Sequence, residues 1–391
     1  MAVLHLGLIG IGNMGSAHVS CISAGNIQGL ELTALCDLRP ERLKSAAAQC
    51  PGAACYLNWR DLIADPGVEA VLIDVPHPLH AEIAMAALKA GKHVLTEKPV
   101  DISISKAKRL NEAAEKSGKV FGIMFNQRTD PLFQKAREIV QSGQLGKLKR
   151  SVWIITNWYR TQHYYDSGTW RATWHGEGGG VLLNQCPHQL DLWQWICGMP
   201  TQVTAFCDVA KYHKIEVEDD VSIFTRYENG ATGAFLTSTG EYPGTNRLEL
   251  SGTLGKVVLE NGLLKWWKLQ QDERRVCFSA ADSSPKIGCD YQEITPASPA
   301  AGHAGILQNF TDAVLHGTPL LAPGTDGIRE LTLSNAAYLS AWQGNIPVSL
   351  PLDTAAFDAE LAARADASRL REGSLSDAYS TAYSHRWQVQ W

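Results

Sequence analysis

The first 125 residues alternate short apolar runs with amphipathic stretches of helical period. The apolar runs predict strands at 4–9, 31–36, 70–75, 93–96 and 120–125. The amphipathic stretches predict helices at 41–49, 79–90 and 103–117, and Asn58 predicts the N-cap of a further short helix. Strands and helices in strict alternation indicate right-handed crossovers and a parallel sheet covered on both faces. We therefore predict a doubly wound α/β domain over residues 1–125.

The pattern changes near residue 148, beyond which short strands follow one another. These predicted strands lie at 149–156, 221–227, 231–239, 246–251, 256–260 and 263–269, and Asn261-Gly262 is typical of a hairpin turn. Helical patterns occupy 181–196, 306–315 and 327–342. The order predicts an α+β domain with a mostly antiparallel sheet at 126–350.

Two polar segments complete this half of the chain. The acidic run at 216–220 is most simply the solvated entry to a strand. Residues 351–391 are predicted to form a polar tail, and its aromatic end at 386–391 favours docking, for example onto a partner subunit.

Composition and charge are those of a globular enzyme and argue against two classes of partner. Of the 391 residues, 45% are hydrophobic and 19% are charged. A net charge of −5 provides no broad positive field, so we expect no nucleic-acid partner and no binding to anionic lipid. Since no apolar run is long enough to span a bilayer, we expect no membrane segment.

The cysteines and the start of the chain predict a reduced, cytoplasmic protein. The nine cysteines are an odd, scattered set without a Cys-x-x-Cys pair, so we expect neither a disulfide framework nor a metal site. Residues 1–5 lack the basic region and cleavage site of a secretory signal.

The segment Gly10-Ile11-Gly12-Asn13-Met14-Gly15 joins the first strand to a helix. In this setting the first glycine permits a tight turn, the second lets the backbone approach a pyrophosphate, and the third packs helix on strand. Asp37 ends the next strand, where a carboxylate accepts hydrogen bonds from ribose hydroxyls and repels a 2′-phosphate. The motif predicts a dinucleotide site and favours NAD over NADP, although Arg39 could accommodate a 2′-phosphate.

Two further segments end strands at the same edge, where doubly wound sheets bind ligands. Val75-Pro76-His77-Pro78-Leu79-His80 follows one strand, and Thr96-Glu97-Lys98-Pro99 follows the next. The strand end aims Lys98 into the crevice, whereas the tripeptide alone could be a surface turn. His77 and His80 make a poor metal site, because catalytic zinc usually needs three protein ligands.

Together these segments resemble the Gfo/Idh/MocA oxidoreductases, the glucose–fructose oxidoreductase and inositol dehydrogenase family. The resemblance rests on the glycine loop, Asp37, Pro76, the Glu97-Lys98-Pro99 tripeptide and the run Gly178-Gly179-Gly180-Val181-Leu182-Leu183-Asn184-Gln185-Cys186-Pro187-His188-Gln189-Leu190-Asp191. It implies a Rossmann domain followed by a domain with an open sheet whose outer face often mediates dimers or tetramers, so we expect a homodimer or homotetramer. It also implies NAD(P)-linked oxidation of a secondary hydroxyl on a carbohydrate or cyclitol substrate.

The resemblance also implies which residues act on the substrate and the cofactor. His188 is the expected acid/base, with Lys98 bonding the reacting oxygen. Family members commonly carry an Asp four residues before this His; Asn184 stands there, and it can orient substrate on the same helix face but carries no charge. The expected cofactor contacts are Gly10, Gly12, Asn13, Met14, Gly15, Asp37, Arg39, Pro76, His77, His80, Glu97 and Lys98.

An aromatic loop that contains arginines is the expected substrate wall. Aromatic faces stack on the C–H faces of a pyranose while polar tips bind hydroxyls, which favours a polar, non-phosphorylated ring. The alternative is a Trp-rich interface or core rim. Arg128 could bind substrate or brace the two domains. The expected substrate contacts are Lys98, Arg128, Tyr159, Arg160, Tyr164, Trp170, Arg171, Asn184, His188 and His303.

Three functions fit this sequence. The first is an NAD-dependent dehydrogenase of a secondary ring hydroxyl in a sugar, glycoside or cyclitol. The second is a glycosidase or lyase that retains NAD, in which transient oxidation at C3 acidifies the C2 proton and elimination cleaves the glycosidic bond. The third is a dinucleotide-binding regulator, against which Lys98 and His188 argue.

Overall fold

A six-stranded parallel sheet forms the first part of the chain, of which the computed structural model describes residues 2–368. Its strands are β1 (Leu4–Ile9), β2 (Leu30–Cys36), β3 (Ala54–Tyr56), β4 (Ala70–Ile73), β5 (His93–Thr96) and β6 (Phe121–Ile123). Their order is β3-β2-β1-β4-β5-β6, and all neighbours run parallel. The order reverses beside β1, so the loop after β1 lies at the switch point where such sheets bind ligands. The predicted doubly wound α/β fold is confirmed.

Five helices connect these strands, and local capping explains two of their boundaries. They are α1 (Asn13–Ser23), α2 (Pro40–Ala47), α3 (Trp59–Ala64), α4 (His80–Lys89) and α5 (Ile104–Ser117). The Asn58 side chain accepts the Arg60 N–H at 3.0 Å, which confirms the predicted N-cap of α3. Gly118 ends α5 with φ of 63°, a left-handed cap that glycine adopts without steric cost.

A nine-stranded mixed sheet forms the second part, which confirms the mostly antiparallel prediction. Its strands are β7 (Leu148–Ile155), β8 (Gln202–Val209), β9 (Glu218–Arg226), β10 (Thr232–Ser238), β11 (Asn246–Gly252), β12 (Gly255–Glu260), β13 (Leu263–Leu269), β14 (Cys289–Ile294) and β15 (Val348–Ser349). The order is β14-β13-β12-β11-β7-β10-β9-β8-β15, and only β7 and β10 pair in parallel within the described residues. Asn261 and Gly262, with φ of 53° and 69°, form the predicted hairpin turn.

Eight helices accompany this sheet, and one of the predictions for them is wrong. They are α6 (Pro131–Gln141), α7 (Gln162–Asp166), α8 (Val181–Asn184), α9 (Pro187–Cys197), α10 (Glu273–Ser279), α11 (Gly302–His316), α12 (Gly327–Trp342) and α13 (Thr354–Ala367). The helix expected at 181–196 is divided, because Pro187 has no N–H and its ring clashes with the preceding turn. In an unbroken helix the Asn184 carbonyl would accept the His188 N–H. The break leaves that carbonyl for another donor.

The acidic run is partly buried, which contradicts the expected solvated strand entry. Glu218 and Asp219 are 1% and 0% exposed. The Glu218 carboxylate accepts the N–H groups of Gly180 at 2.9 Å and Leu182 at 3.0 Å, and the Tyr338 hydroxyl at 2.7 Å. Asp219 accepts three backbone N–H groups of the preceding loop. The bonds that Glu218 accepts from Gly180 and Leu182 fix the point where α8 begins.

The last described helix, α13, packs on α5 and α12. In the predicted tail, α13 stacks Phe357 on Trp342 with ring centroids 5.4 Å apart. Close to β6, the Ile123 N–H donates to the Ala322 carbonyl at 3.1 Å. The boundaries 1–125, 126–350 and 351–391 stay predictions, and the docking expected of 386–391 lies outside the described residues.

Candidate active site

The glycine loop has the shape that a dinucleotide requires. Gly10 has φ of 97°, and a Cβ there would lie 1.9 Å from the Asp74 carbonyl oxygen. A Cβ on Gly15 would lie 2.0 Å from the Gly10 carbonyl oxygen, so glycine allows α1 to pack on the loop. At Gly12 no described atom lies within 4 Å of the Cβ position, which leaves an open approach to the N-terminus of α1. The next two residues form the first turn of that helix.

Asp37 holds the loop from the end of β2. Its Oδ2 accepts the Ile11 N–H at 2.7 Å, and its Oδ1 accepts the Arg39 N–H at 2.9 Å. Arg42, which sequence reasoning did not single out, places Nη1 3.8 Å from Oδ2. Arg39 itself is half-exposed. Each carboxylate oxygen keeps a lone pair for a ribose hydroxyl, as the motif predicts.

Asp74 brings a second carboxylate to the loop, and sequence reasoning missed it. Its Oδ2 would lie 3.1 Å from a Cβ on Gly15, and this buried oxygen has no hydrogen-bond partner among the described residues. Burial raises the pKa of Asp74 well above its usual value, and the charges of Glu97 and Asp37 add to the rise. The available signal was its position as the polar residue that follows an apolar strand.

Glu97 is bonded within the protein, contrary to the expected cofactor contact. Its Oε1 lies 3.1 Å from Nε2 of His18, a fully buried residue of α1, and its Oε2 accepts the Lys98 N–H at 3.2 Å. Burial alone would raise the pKa of Glu97, but the hydrogen bond from His18 and neighbouring positive charges lower it to about 2. The carboxylate ties β5 to α1 and fixes the backbone at Lys98.

Lys98 reaches from the end of β5 to the break between α8 and α9. Its Nζ donates to the Asn184 backbone carbonyl at 2.9 Å, the carbonyl that the break leaves without the His188 N–H. The Lys98 charge acts on titratable groups from several elements, which places it at the centre of the cluster. These groups are Asp74, His77, His80, Glu97, Glu177, Cys186, His188, His303 and Glu330.

His188 lies in the first turn of α9, close enough to Lys98 for their charges to interact. Burial and the Lys98 charge lower the pKa of His188 to about 3, so the imidazole is neutral at physiological pH. Its Nδ1 is buried without a hydrogen-bond partner in the described chain, and its ring packs edge-on against Phe125 at 6.4 Å. The neutral ring can receive a proton, but it retains that proton poorly while Lys98 is charged.

The Asn184 side chain donates to Oε1 of Glu177, a residue that sequence reasoning missed. Glu177 is 2% exposed, and its Oε2 accepts the Ala172 N–H at 2.6 Å. Burial raises the pKa of Glu177, while Arg171 and the hydrogen bonds lower it. The expectation that Asn184 and His188 share one helix face is wrong, because they lie on opposite sides of the break.

Arg160, Tyr164 and Arg171 form a stacked wall, as the aromatic loop predicts. The guanidinium carbons of the two arginines lie 5.1 Å and 4.8 Å from the Tyr164 ring centroid. The Tyr164 hydroxyl accepts from Arg171 Nη1 at 2.9 Å and from Gln185 Nε2 at 3.2 Å. Because Gln185 lies in the helix break, the wall is joined to the segment that holds Lys98.

The other two aromatic residues that the sequence singled out, Trp170 and Tyr159, make different contacts. Trp170 packs edge-on against His77 at 5.8 Å, and Nδ1 of His77 bonds the Glu177 carbonyl at 3.1 Å. Tyr159 is 45% exposed and packs against the exposed Tyr242 ring at 5.6 Å. Trp170 therefore borders the Lys98 cluster, whereas Tyr159 lies at the outer rim.

His80 is a structural residue rather than a ligand contact. Its ring nitrogens lie 2.6 Å and 2.7 Å from the carbonyl oxygens of Pro99 and Val75, and it is 1% exposed. Both nitrogens are engaged by the backbone, which corrects the expected cofactor contact. Pro76 is exposed at the sheet edge and stays available to a ligand.

His303 reaches the cluster from α11. Its Nδ1 accepts the Asn126 amide at 2.9 Å, and its ring lies edge-on to His18 at 5.6 Å. Burial lowers the pKa of His303 well below its usual value, and the charges of His188 and Lys98 also contribute. The expected contact between His303 and substrate stays a prediction.

Arg128 braces the protein, so its expected contact with substrate is corrected. The side chain is 1% exposed and forms two bonds to Asp191 at 2.8 Å and 2.6 Å. Its Nη1 donates to Asp326 at 2.8 Å and to the Leu321 carbonyl at 3.1 Å. A guanidinium engaged along both edges has no face left for a sugar hydroxyl.

No helix within residues 2–368 is long and apolar enough to cross a bilayer. No group of three or more His, Cys, Asp or Glu side chains in that range is arranged to hold a metal ion.

Comparison with known proteins reveals relatives along most of the chain. Myo-inositol 2-dehydrogenase of Thermotoga maritima is 27% identical over 342 residues, 86% of this chain and 96% of the relative. Levoglucosan dehydrogenase of Pseudarthrobacter phenanthrenivorans is 26% identical over 330 residues, 76% of this chain and 82% of the relative. The WlbA dehydrogenase of Bordetella pertussis, crystallised with NADH and UDP-GlcNAcA, superposes with a TM-score of 0.74 at 26% identity, covering 90% of this chain and 100% of that one.

Two family models match consecutive parts of the chain. The oxidoreductase family model with an NAD-binding Rossmann fold matches residues 4–125, and the GFO/IDH/MocA C-terminal domain model matches residues 133–258. The chain belongs to the Gfo/Idh/MocA family of oxidoreductases, with an NAD-binding Rossmann domain at its N-terminal end.

Proposed function

We propose that this chain is an NAD-dependent dehydrogenase that oxidises a secondary ring hydroxyl of a sugar, glycoside or cyclitol. The observation that carries the proposal is the meeting of Lys98 and His188 at the helix break, beside the glycine loop at the same sheet edge. The names of the relatives, which include inositol and levoglucosan dehydrogenases, support this substrate class.

In the proposed reaction the carbinol carbon loses a hydride and its oxygen loses a proton, which leaves a carbonyl. When bound, NAD supplies the nicotinamide that takes the hydride. Lys98, held by the Asn184 carbonyl, donates a hydrogen bond to the reacting oxygen and makes its proton more acidic. The neutral His188 receives that proton and releases it to solvent.

We infer that the residues of the glycine loop would hold the pyrophosphate and that Asp37 would hold the adenosine ribose. The open space at Gly12 and the buried Asp37 carboxylate fit a dinucleotide. That carboxylate would oppose a 2′-phosphate, which favours NAD over NADP. We also propose a reducing, cytoplasmic setting, since all nine cysteines are free.

The outer face of the second sheet supports a homodimer or homotetramer. Phe206 on β8 and Phe224 on β9 are each 49% exposed on this face, where a second copy could cover them. Light scattering on the purified protein tests this: wild type should be a multimer, and F206E/F224E should shift toward monomer. A monomeric wild type would exclude the proposal.

The function is tested by incubating the protein with NAD and panels of monosaccharides, glycosides, anhydrosugars and inositols. NADH should accumulate with at least one member, and His188→Ala should lower kcat at least ~100-fold with little change in NAD affinity. Release of aglycone without NADH would instead indicate the NAD-retaining lyase. Near-normal turnover of His188→Ala would remove its acid/base role.

A further inference from the structure

We propose that Glu177 is a positioning residue for Lys98. Its buried carboxylate holds the Asn184 side chain, the Asn184 carbonyl holds the Lys98 ammonium, and the carboxylate supplies a counter-charge to that ammonium. The consequence for catalysis rests on the proposed function, whereas the effect on Lys98 itself does not.

A chain of hydrogen bonds joins the two charges. One carboxylate oxygen of Glu177 receives the Asn184 amide, and the other receives the Ala172 N–H at 2.6 Å. Lys98 Nζ then donates to the Asn184 carbonyl at 2.9 Å. A single residue, Asn184, therefore connects carboxylate and ammonium through its side chain and its backbone. Its backbone oxygen is available because α8 ends at Asn184 and the His188 N–H therefore does not bond it in a continuous helix.

Lys98 is partly buried among titratable side chains from several elements, and the histidines among them offer no negative charge. The groups that face Lys98 from the packed elements are Asp74, His77, His80, Glu97, Glu177, Cys186, His188, His303 and Glu330.

The other three carboxylates in this set, those of Glu97, Asp74 and Glu330, have no described hydrogen-bond connection to Lys98 Nζ. Glu97 is bonded to His18. Asp74 follows β4 and lies beside the glycine loop, and Glu330 has no hydrogen-bond partner on either oxygen among the described residues. Of these residues, only Glu177 is connected to Lys98 Nζ through intervening hydrogen bonds in the described structure. We therefore assign it the counter-charge.

The sequence explains why this role falls to a residue outside the helix. Asn184 carries no charge, so it cannot balance Lys98 by itself. The loop before α8 brings Glu177 back to Asn184. Gly178 in this loop adopts φ of 80°, and a Cβ there would lie only 2.5 Å from Ile102 Cγ2, so glycine is needed for this close approach. The negative charge therefore belongs to Glu177 in the loop, and the amide that bonds it belongs to Asn184 at the end of α8.

The direct test measures the pKa of Lys98 in the full-length protein without NAD or substrate. Trace acetylation with acetic anhydride at pH 6 to 11, read by peptide mass spectrometry, gives the reactivity of each lysine. Glu177→Gln keeps the shape but removes the charge, and its single amide oxygen can accept from Asn184 or from the Ala172 N–H but not from both. The Lys98 pKa should therefore fall by about one unit. At pH 8 its labelling should rise about tenfold. Labelling of Lys135, whose side chain is 32% exposed and paired with Glu138, is the internal reference.

Three further variants separate positioning from folding. Glu177→Gln/Asn184→Asp returns a carboxylate to the cluster and should restore the Lys98 titration. If Glu177→Gln does not fold, Asn184→Ala breaks the connection and should move the titration the same way by a smaller amount. Asp130→Asn, which removes the N-cap carboxylate of α6, is the matched control and should leave Lys98 unchanged. An unchanged Lys98 titration in both Glu177→Gln and Asn184→Ala would overturn the proposal.

Steady-state kinetics provide a second test once a substrate is known. Glu177→Gln should lower kcat about tenfold or more, and the alkaline limb of its pH–rate profile should move about one unit toward acid. A uniform loss of activity at every pH would assign Glu177 a structural role. If no carbohydrate is oxidised at all, the proposed function fails while the labelling experiment still decides the role of Glu177.

Discussion

Replacing Arg128 by Met would distinguish a brace from a substrate ligand. The guanidinium is 1% exposed and gives three of its four protein hydrogen bonds to Asp191 and Asp326. Asp191 is itself 1% exposed, whereas Asp326 is 19% exposed by its side chain. Met preserves much of the apolar stem but leaves the Asp191 carboxylate buried without its cation.

The expected cost follows from this geometry. Removing one partner of a buried ion pair costs about 3–5 kcal/mol, because the remaining charge is left uncompensated. Burial raises the pKa of Asp191 and Arg128 lowers it, so Arg128→Met should raise that pKa further. An acid whose pKa is raised on folding binds a proton more tightly in the folded state, and stability falls as pH rises above the unfolded value of about 4. The loss should therefore be larger at pH 8 than at pH 5.5.

Urea unfolding followed by tryptophan fluorescence at these two pH values measures the effect. Arg329→Met is the matched control, since Arg329 lies 3.7 Å from the same Asp326 but its side chain is 55% exposed. A surface pair of this kind contributes at most about 1 kcal/mol. If Arg128→Met were as stable as Arg329→Met and instead raised KM more than tenfold, Arg128 would be a substrate ligand and the bracing role would be refuted.

Three other predictions follow from buried or ligand-facing carboxylates. Glu330 is 0% exposed, and burial raises its pKa well above the usual value. Glu330→Gln should therefore increase Tm relative to wild type at pH 9 but change it little at pH 4. Equal gains in Tm at both pH values would argue against a protonated Glu330. Because Asp74 ionises beside the glycine loop, the NAD Kd should rise between pH 6 and 9, and this slope should flatten in Asp74→Asn when binding is followed by fluorescence. Parallel slopes would exclude that role. Asp37→Ala should reduce the preference for NAD over NADP at least ~10-fold in the same assay, and an unchanged ratio would contradict the ribose assignment.

The first sheet was predictable because its strands are buried on both faces. Such strands read as continuous apolar runs, and the glycine loop adds a motif with a fixed setting. The three-residue strand β3 was too short to leave a pattern. The break between α8 and α9 was missed because apolar spacing continues across it, although Pro187 was a visible signal.

The site was predictable only where a motif fixes its residues. Lys98 and His188 follow from the resemblance, and burial together with the Lys98 charge lowers the pKa of His188. His18 and Glu177 were not found, because their importance arises from contacts made by folding: His18 bonds a residue 79 positions away, and Glu177 depends on how one loop returns to the helix break. Burial of Glu218 could not be anticipated either, since an acidic run normally indicates solvent exposure.

The central claim is that Lys98 and His188 form one electrostatically coupled pair. The most direct measurement is the His188 pKa by NMR of protein labelled with ¹³C-histidine, in wild type and in Lys98→Met, with His188→Ala used to assign its resonance. Burial holds the pKa of His188 low in both proteins, and loss of the Lys98 charge should raise it by about one unit from its wild-type value of about 3. The same His188 pKa in both proteins would mean that the two side chains do not meet.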